Sequence, residues 1–257
     1  MGQADLSFVI PAYNEEDSIE AALITLDGVV KNKELQYEIV VVDDGSKDET
    51  LSKAMAYAKR NGHVKVIRCN KNVGKGYAVK AGFMRATGEV VVFVDSDMEI
   101  DLSTISRYVD ALEHGDIVIA TKWHPNSVVD MPLIRRILSH GFNIFVRILT
   151  GANIRDTQVG LKAMKKSAFV NIFPRLTVKR YAFDVELLAV ASLYGLKIVE
   201  MPVQLRLRGL FRASDVFRMF LDLLGIAYRL RVTHWYQRPI VTQDEHSNFL
   251  SIEVGGY

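Results

Sequence analysis

The sequence predicts an α/β fold with a mostly parallel central sheet flanked by helices, and three observations predict it. Short apolar, β-branched runs recur at 6–11, 39–42, 64–68 and 90–94, without the alternation of a half-exposed strand, as in strands covered on both faces. Between them lie stretches whose apolar residues repeat at helical spacing. Four strands and three helices therefore alternate within about ninety residues, the pattern of right-handed βαβ crossovers. Three of the four strand ends carry Asp, Asn or Glu, which predicts a polar crevice along one edge of the sheet, where such sheets bind ligands.

The run at 6–11 (LSFVIP) is stopped by proline and followed by Ala12-Tyr13-Asn14-Glu15-Glu16. Asp17 or Ser18 caps a helix carrying Ile19, Ala22, Leu23 and Leu26 on one face. The strand at 39–42 ends in Asp43-Asp44-Gly45-Ser46, a turn at a strand's carboxyl end, and Asp48 leads into a helix over 50–60. After the strand at 64–68, Asn72-Val73-Gly74-Lys75-Gly76 opens a helix reaching about Arg85. That turn either cradles a phosphate with N–H groups at a helix N-terminus or is simply one that glycine permits. It is neither a GxxxxGK[ST] loop nor a dinucleotide GxGxxG.

The strand at 90–94 runs straight into Asp95-Ser96-Asp97. Two carboxylates one residue apart beside apolar walls repel each other. A divalent cation relieves that repulsion, and oxygen-only donors suit Mg²⁺ or Mn²⁺. The alternative is a pair of solvated acids at a turn. A helix over 102–113 and a fifth strand over 116–120 follow, leading to Thr121-Lys122-Trp123.

The character then changes. The net charge of the 257 residues is only +2, but residues 1–50 carry twelve acids against three lysines. Residues 131–180 carry ten Lys and Arg against Asp156 alone, and 201–240 carry seven arginines against Asp215 and Asp222. A basic half of this kind is suited to an anionic partner. A helix over 132–150 gathers Arg135, Arg136, Ser139, His140, Asn143 and Arg147 within roughly 140° of arc, with Ile134, Ile137, Leu138, Phe142, Phe145, Ile148 and Leu149 opposite. Such a helix lies on a membrane surface or frames an anionic group, or else docks on the core with a solvated basic face. A polar loop, 155–162 (RDTQVGLK), enters apolar Ala163-Met164. Residues 181–188 (YAFDVELL) start a helix on which Asp184 and Glu186 do not share a face. A strand over 198–203 precedes Arg206, Arg208 and Arg212. The last helix, 214–232, sets Arg218, Asp222 and Arg229 on one stripe with Phe217, Phe220, Leu221, Leu224 and Tyr228 around the rest. It reads as a helix lying in a membrane interface with Trp235 and Tyr236 at headgroup level, or as one buried against the domain or another subunit. From 243 the tail is polar and loosely ordered.

The single cysteine, Cys69, excludes a disulfide within the chain and fits a reducing compartment. The first strand begins by Leu6, leaving no room for a signal peptide, and no window holds the roughly 18 apolar residues of a spanning helix.

Residues 8–15 (FVIPAYNE), 42–46 (VDDGS), 72–76 (NVGKG) and 94–97 (VDSD) stand in the order found in inverting family 2 glycosyltransferases, which the chain resembles over roughly 6–210. Residues 155–162 and 183–187 are most similar to the polyprenyl-phosphate branch, above all the dolichyl-phosphate β-glucosyltransferases, with the dolichyl-phosphate mannose synthases next. The resemblance implies a GT-A type nucleotide-sugar-binding fold. It implies metal-dependent, inverting transfer of a hexose from a nucleotide sugar, UDP-glucose ahead of GDP-mannose, to a polyprenyl or dolichyl phosphate. The enzyme would sit peripherally on the cytoplasmic face of a membrane, with no nucleic-acid partner. Pro11, Tyr13, Glu15 and Asp44, with Asp43, Lys75 and Ser96, would hold the nucleotide. Asp95 and Asp97 would meet the diphosphate and its Mg²⁺ or Mn²⁺, with Glu99 beside them. Lys122, Arg135, Ser139, Arg206 and Arg208 would hold the acceptor phosphate, and Lys162 and Asp184 would join Asp95 and Asp97 in catalysis. The implied division is a catalytic domain over 1–212 (nucleotide half 1–120, acceptor half 121–212), an interfacial helix over 213–240 and a tail over 241–257. The chain departs from the pattern at Leu161, where the family has Phe in GFK, and after the last strand, where Arg208-Gly-Leu-Phe-Arg212 replaces GxSK.

A lipid phosphate oxygen is already anionic at neutral pH, so it needs positioning by Arg and Lys rather than a strong base. Asp184 or Glu186 would serve as base if the acceptor were a sugar hydroxyl, as in a soluble enzyme extending a saccharide. A phospho-receiver domain leaves the basic half unexplained, and a nucleotidyltransferase has a Gly-rich basic signature where this chain has PAYNE.

Overall fold

A computed structural model describes residues 4–31, 35–207, 213–239 and 250–255 and bears out the alternation of the first half. In chain order the strands are β1 (Leu6–Ala12), β2 (Tyr37–Asp43), β3 (Val64–Cys69), β4 (Val90–Val94), β5 (Ile117–Thr121), β6 (Val128–Asp130), β7 (Leu161–Lys165), β8 (Ile198–Pro202), β9 (Gln204–Arg206) and β10 (Leu250–Gly255). The helices are α1 (Ile19–Val30), α2 (Thr50–Arg60), α3 (Lys75–Arg85), α4 (Ile105–Asp110), α5 (Leu133–Thr150), α6 (Lys166–Phe169), α7 (Phe183–Leu193) and α8 (Ala213–Arg231).

Eight strands form one sheet in the order β10-β3-β2-β1-β4-β7-β5-β8, and β6 pairs with β9 in a small second sheet. β1 runs parallel to both β2 and β4, so the chain winds outward through β2 and β3 and then returns to the other side of β1. The carboxyl ends of β1 and β4 therefore flank a topological switch point, where a crevice opens. Successive strand residues face opposite layers. Val9, Val42, Val91, Phe93 and Ile119 pack under α3 and α7, while Phe8, Ile10, Val41, Val92 and Val118 pack under α1, α2 and α4.

Four elements differ from the sequence reading. β7 is a central strand, antiparallel to both β4 and β5, where a polar loop leading into Ala163-Met164 was expected. Its short LKAMK pattern conceals a strand because Lys162 is buried, 2% exposed, with an acid to meet it. The helix expected over 102–113 is broken into a 3₁₀ turn at Leu102–Thr104, α4, and a second 3₁₀ turn at Ala111–His114. The tail expected over 241–257 includes β10, which pairs antiparallel with β3 at the sheet edge.

The fourth is α5, which docks through a mixed stripe: Val146 is buried in the core, and Phe142 and Leu149 pack against it. Arg135 and Ser139 are half-buried, and Asn143 is buried and donates to the Arg155 carbonyl. Leu133, Ile134, Ile137, Phe145 and Ile148 are each more than half exposed. Arg136, His140 and Arg147 are exposed, so α5 is docked on the core with part of its basic face solvated, and much of its apolar face is solvated as well. α8 lies alongside, buries Leu223 and Ile226, and leaves Phe217, Leu221, Leu224 and Tyr228 exposed. Phe145 and Phe220 meet edge to face with ring centroids 6.0 Å apart, joining the two helices. No helix among the described residues is long and apolar enough to cross a membrane.

Candidate active site

The ends of β1 and β4 deliver most of the expected residues to one cleft of about 440 Å³. Pro11, Tyr13, Glu15, Asp44, Lys75, Asp95, Ser96 and Asp97 all line it. A larger hollow, about 660 Å³, lies between α1 and α2 near the amino ends of β2 and β3. It adjoins Lys31 and Leu35, between which the chain lies outside the described residues, and it holds none of the acids of the crevice.

Each wall residue has a local reason for its place. The Ser96 hydroxyl donates to the Pro11 carbonyl and ties the two strand ends together. The Glu15 carboxylate accepts from the Ser18 hydroxyl at 2.6 Å, and burial raises its carboxyl above the ordinary range despite that bond. Asp44 accepts from the N–H groups of Val73 (2.9 Å) and Gly74 (2.7 Å), so it holds the NVGKG turn against the end of β2. Gly74 has φ +123°, and a side chain there would meet the Lys179 carbonyl, so only glycine fits this turn.

The two central carboxylates differ. Asp95 accepts from the Lys75 ammonium through both oxygens, at 2.7 and 2.8 Å. Lys75 is 3.8 Å from Asp184, which is 2.8 Å from Lys162, whose ammonium also donates to the Val159 carbonyl at 2.7 Å. Asp95, Lys75, Asp184 and Lys162 thus form a chain of alternating charge running from the cleft into the core. Burial alone would depress Lys75, but Asp95 and Asp184 hold it above the ordinary lysine range. Asp97 follows in a turn where Met98 takes φ +57° and the Glu99 N–H donates to the Asp97 carboxylate at 3.1 Å. The surrounding protein and then the Asp95 charge raise the Asp97 carboxyl, while Lys75 and Arg135 pull it back. Arg135 of α5 therefore acts on the same acid that the strand end presents.

Glycine at 160 explains how Asp95 fits. The Asp95 N–H donates to the Gly160 carbonyl at 3.1 Å, and a Cβ at Gly160 would lie within the Asp95 carboxylate. The sequence reading quoted this glycine inside RDTQVGLK without a role. It also missed the far wall of the cleft, which comes from Arg180 and Tyr181 before α7 and from Asp215, Arg218, Met219 and Asp222 of α8.

Several expected contacts are relocated. Asp43 is wholly buried beneath the cleft, accepting from the Ser46 N–H, and does not line it. Lys122 is buried in an ion pair with Asp156 at 2.9 Å, so its charge is already met, and it holds the 156–158 turn in place rather than facing an acceptor. Lys162 and Asp184 are buried partners of each other behind the cleft, which makes them positioning groups for Lys75 and Asp95. Glu186 accepts from Thr177, Val178 and Tyr236 and does not reach the cleft. Arg206 is exposed on β9, and Arg208 lies outside the described residues.

Among the described residues no cluster of three or more ligating side chains exists, Glu99 with Asp95 and Asp97 included. Two carboxylates fit Mg²⁺ or Mn²⁺ all the same, since such ions are commonly held by one or two carboxylates together with substrate phosphates.

The sequence matches the Glycosyl transferase family 2 model over residues 7–173. A dolichyl-phosphate beta-glucosyltransferase of Dictyostelium discoideum is 32% identical over 251 residues, covering 90% of this chain and 76% of that protein. One from Trichomonas vaginalis is 33% identical over 248 residues, covering 91% and 76% respectively. The human enzyme of that name is 35% identical over 214 residues, 77% of this chain and 66% of its own. Among solved structures, glucosyl-3-phosphoglycerate synthase from Mycobacterium tuberculosis, crystallised with uridine diphosphate, superposes with a TM-score of 0.65 at 19% identity, over 93% of this chain and 82% of that one.

Proposed function

Because the chain belongs to glycosyl transferase family 2, we propose that it moves glucose from UDP-glucose to a dolichyl or polyprenyl phosphate at a membrane surface, with inversion at the anomeric carbon. The sugar and the acceptor are those in the names of relatives that align over about nine-tenths of the chain. The observation that carries the acceptor is the placement of α5, which half-buries Arg135 and Ser139 one turn apart while Leu133, Ile134, Ile137, Phe145 and Ile148 stay exposed. A lipid phosphate needs both faces at once, an anion site at the cleft and apolar surface beside it for the isoprenoid. Peripheral attachment at the cytoplasmic face belongs to the same reading, as does the division into a nucleotide half (1–120) and an acceptor half (121–212).

In this mechanism Asp95 and Asp97 would hold Mg²⁺ or Mn²⁺, which would offset the charge gathering on the leaving nucleoside diphosphate. Lys75 holds the Asp95 carboxylate by both oxygens, with Asp184 and Lys162 behind Lys75. Arg135 and Ser139, one turn apart on α5, orient the acceptor phosphate, whose oxygen attacks without prior deprotonation. A general base is not needed, in keeping with Asp184 being bonded to two lysines.

The test is transfer of radiolabelled glucose from UDP-glucose, with labelled GDP-mannose in parallel, to a polyprenyl phosphate in the presence of Mg²⁺ or Mn²⁺. Label from UDP-glucose in the organic extract is the expected result. Label from GDP-mannose alone would replace the donor, and label confined to the aqueous phase would replace the acceptor with a soluble saccharide. Arg135→Ala is expected to raise the acceptor KM at least about tenfold, the loss of one charge-assisted hydrogen bond, with the donor KM little changed. An unchanged acceptor KM would remove Arg135 from the acceptor site.

A further inference from the structure

The cleft has two walls of different origin, and their charges do not match. The wall built by β1, β2 and β4 presents Glu15, Asp44, Asp95 and Asp97. Among the described residues three cations line the cleft: Lys75, Arg180 and Arg218. Lys75 is committed to both oxygens of Asp95 and to Asp184. A diphosphate carries two or more negative charges, and a divalent ion held by two carboxylates is already neutralised by them. The opposite wall, where the two arginines stand, supplies charge of the balancing sign. Among the described residues neither guanidinium makes a hydrogen bond or an ion pair. Planar guanidinium groups suit phosphate oxygens better than any other side chain.

Their placement favours the nucleotide side over the acceptor side. The stem of Arg180 lies against the NVGKG turn, where a Cβ on Gly74 would be 2.9 Å from its Cγ. Arg218 stands on α8 between Asp215 and Asp222, at helical spacings of three and four, so the three share one stripe along the cleft. Asp222 lines the same cleft as Arg180. The acceptor arginine, Arg135, acts instead on Asp97 from α5.

We propose that Arg180 and Arg218 grip the diphosphate of the nucleotide donor from the wall opposite Asp95 and Asp97. This rests on the nucleotide-sugar reading above and adds a second wall to it. Donor binding then engages the C-terminal helix directly, and α8, whose other side carries Phe217 and Leu221, becomes part of the substrate site.

The experiment is calorimetric titration of UDP, uridine and a short-chain prenyl phosphate, each with Mn²⁺ present, into the wild-type chain, Arg180→Gln, Arg218→Gln and the double variant. Both arginines are exposed, and equal melting temperatures would confirm intact folds. The expected result is a rise of about tenfold in the UDP Kd for each variant, with uridine and prenyl phosphate affinities within about twofold of wild type. Unchanged UDP affinity in the double variant overturns the proposal, and so does a loss confined to prenyl phosphate, which would move the arginines to the acceptor. A wild-type chain that does not bind UDP overturns the donor reading itself, and the inference falls with it.

Discussion

Alanine at position 160 is expected to lower turnover at least about a hundredfold while leaving the chain folded. The added Cβ would lie 2.9 Å from the Asp95 Cβ and deeper still within its carboxylate. The backbone cannot step aside, because the Gly160 carbonyl accepts from the Asp95 N–H and the next residues pair in register, Leu161 opposite Val94. Asp95 must instead turn away from Lys75, and a displacement of about 1 Å in a reacting constellation can cost a hundredfold. Steady-state kcat and the Mn²⁺ affinity read by electron paramagnetic resonance should fall together, with urea unfolding little altered. Turnover within about threefold of wild type would show that the position of Asp95 does not limit the reaction.

Glu186→Ala should lose stability rather than chemistry, by about 3–5 kcal/mol, the cost of stripping one partner from a buried ionic network. The Glu186 carboxylate is fully buried and accepts from the Thr177 N–H and hydroxyl, the Val178 N–H and the Tyr236 hydroxyl, with Arg229 3.6 Å away. Those partners come from the segment leading to Arg180 and from α8 and the turn after it. Removing the carboxylate leaves several buried donors unmet and loosens α8 from α7. Urea unfolding would measure the loss, and hydrogen exchange should localise it to α8. A change below about 1 kcal/mol would mean that water takes the place of the carboxylate and that packing alone holds the helix.

Much of the nucleotide wall was legible because it is local. A strand ending in DSD or DDGS presents its acids wherever a parallel sheet delivers its carboxyl ends, so Asp44, Asp95 and Asp97 reach the cleft by strand geometry alone. The errors came from residues whose role depends on a distant partner. Lys122 was expected at the acceptor phosphate and Lys162 in catalysis, but Asp156 and Asp184 pair with them, and no local spacing reports such a pairing. β7 stayed hidden for the same reason, since a lysine inside a central strand is tolerated only when an acid meets it. Gly160 could have been found by asking why a polar loop needs a glycine just before an apolar run. In α8 the two faces were visible, but the neighbour of the polar stripe was not, and Arg218 went unrecognised as part of the cleft.

The outward apolar face of α5 has a calorimetric consequence. Apolar surface that folding leaves hydrated adds nothing to the heat-capacity change of unfolding, so that quantity should fall below the value expected for a chain of this length. On the proposed attachment to a membrane, the missing increment would return as a negative heat-capacity change when the ridge meets lipid. Warming from the cold would then tighten attachment to a bilayer even as it brings the chain nearer to unfolding, so the temperature at which the domain holds best to a surface lies above the one at which it is most stable.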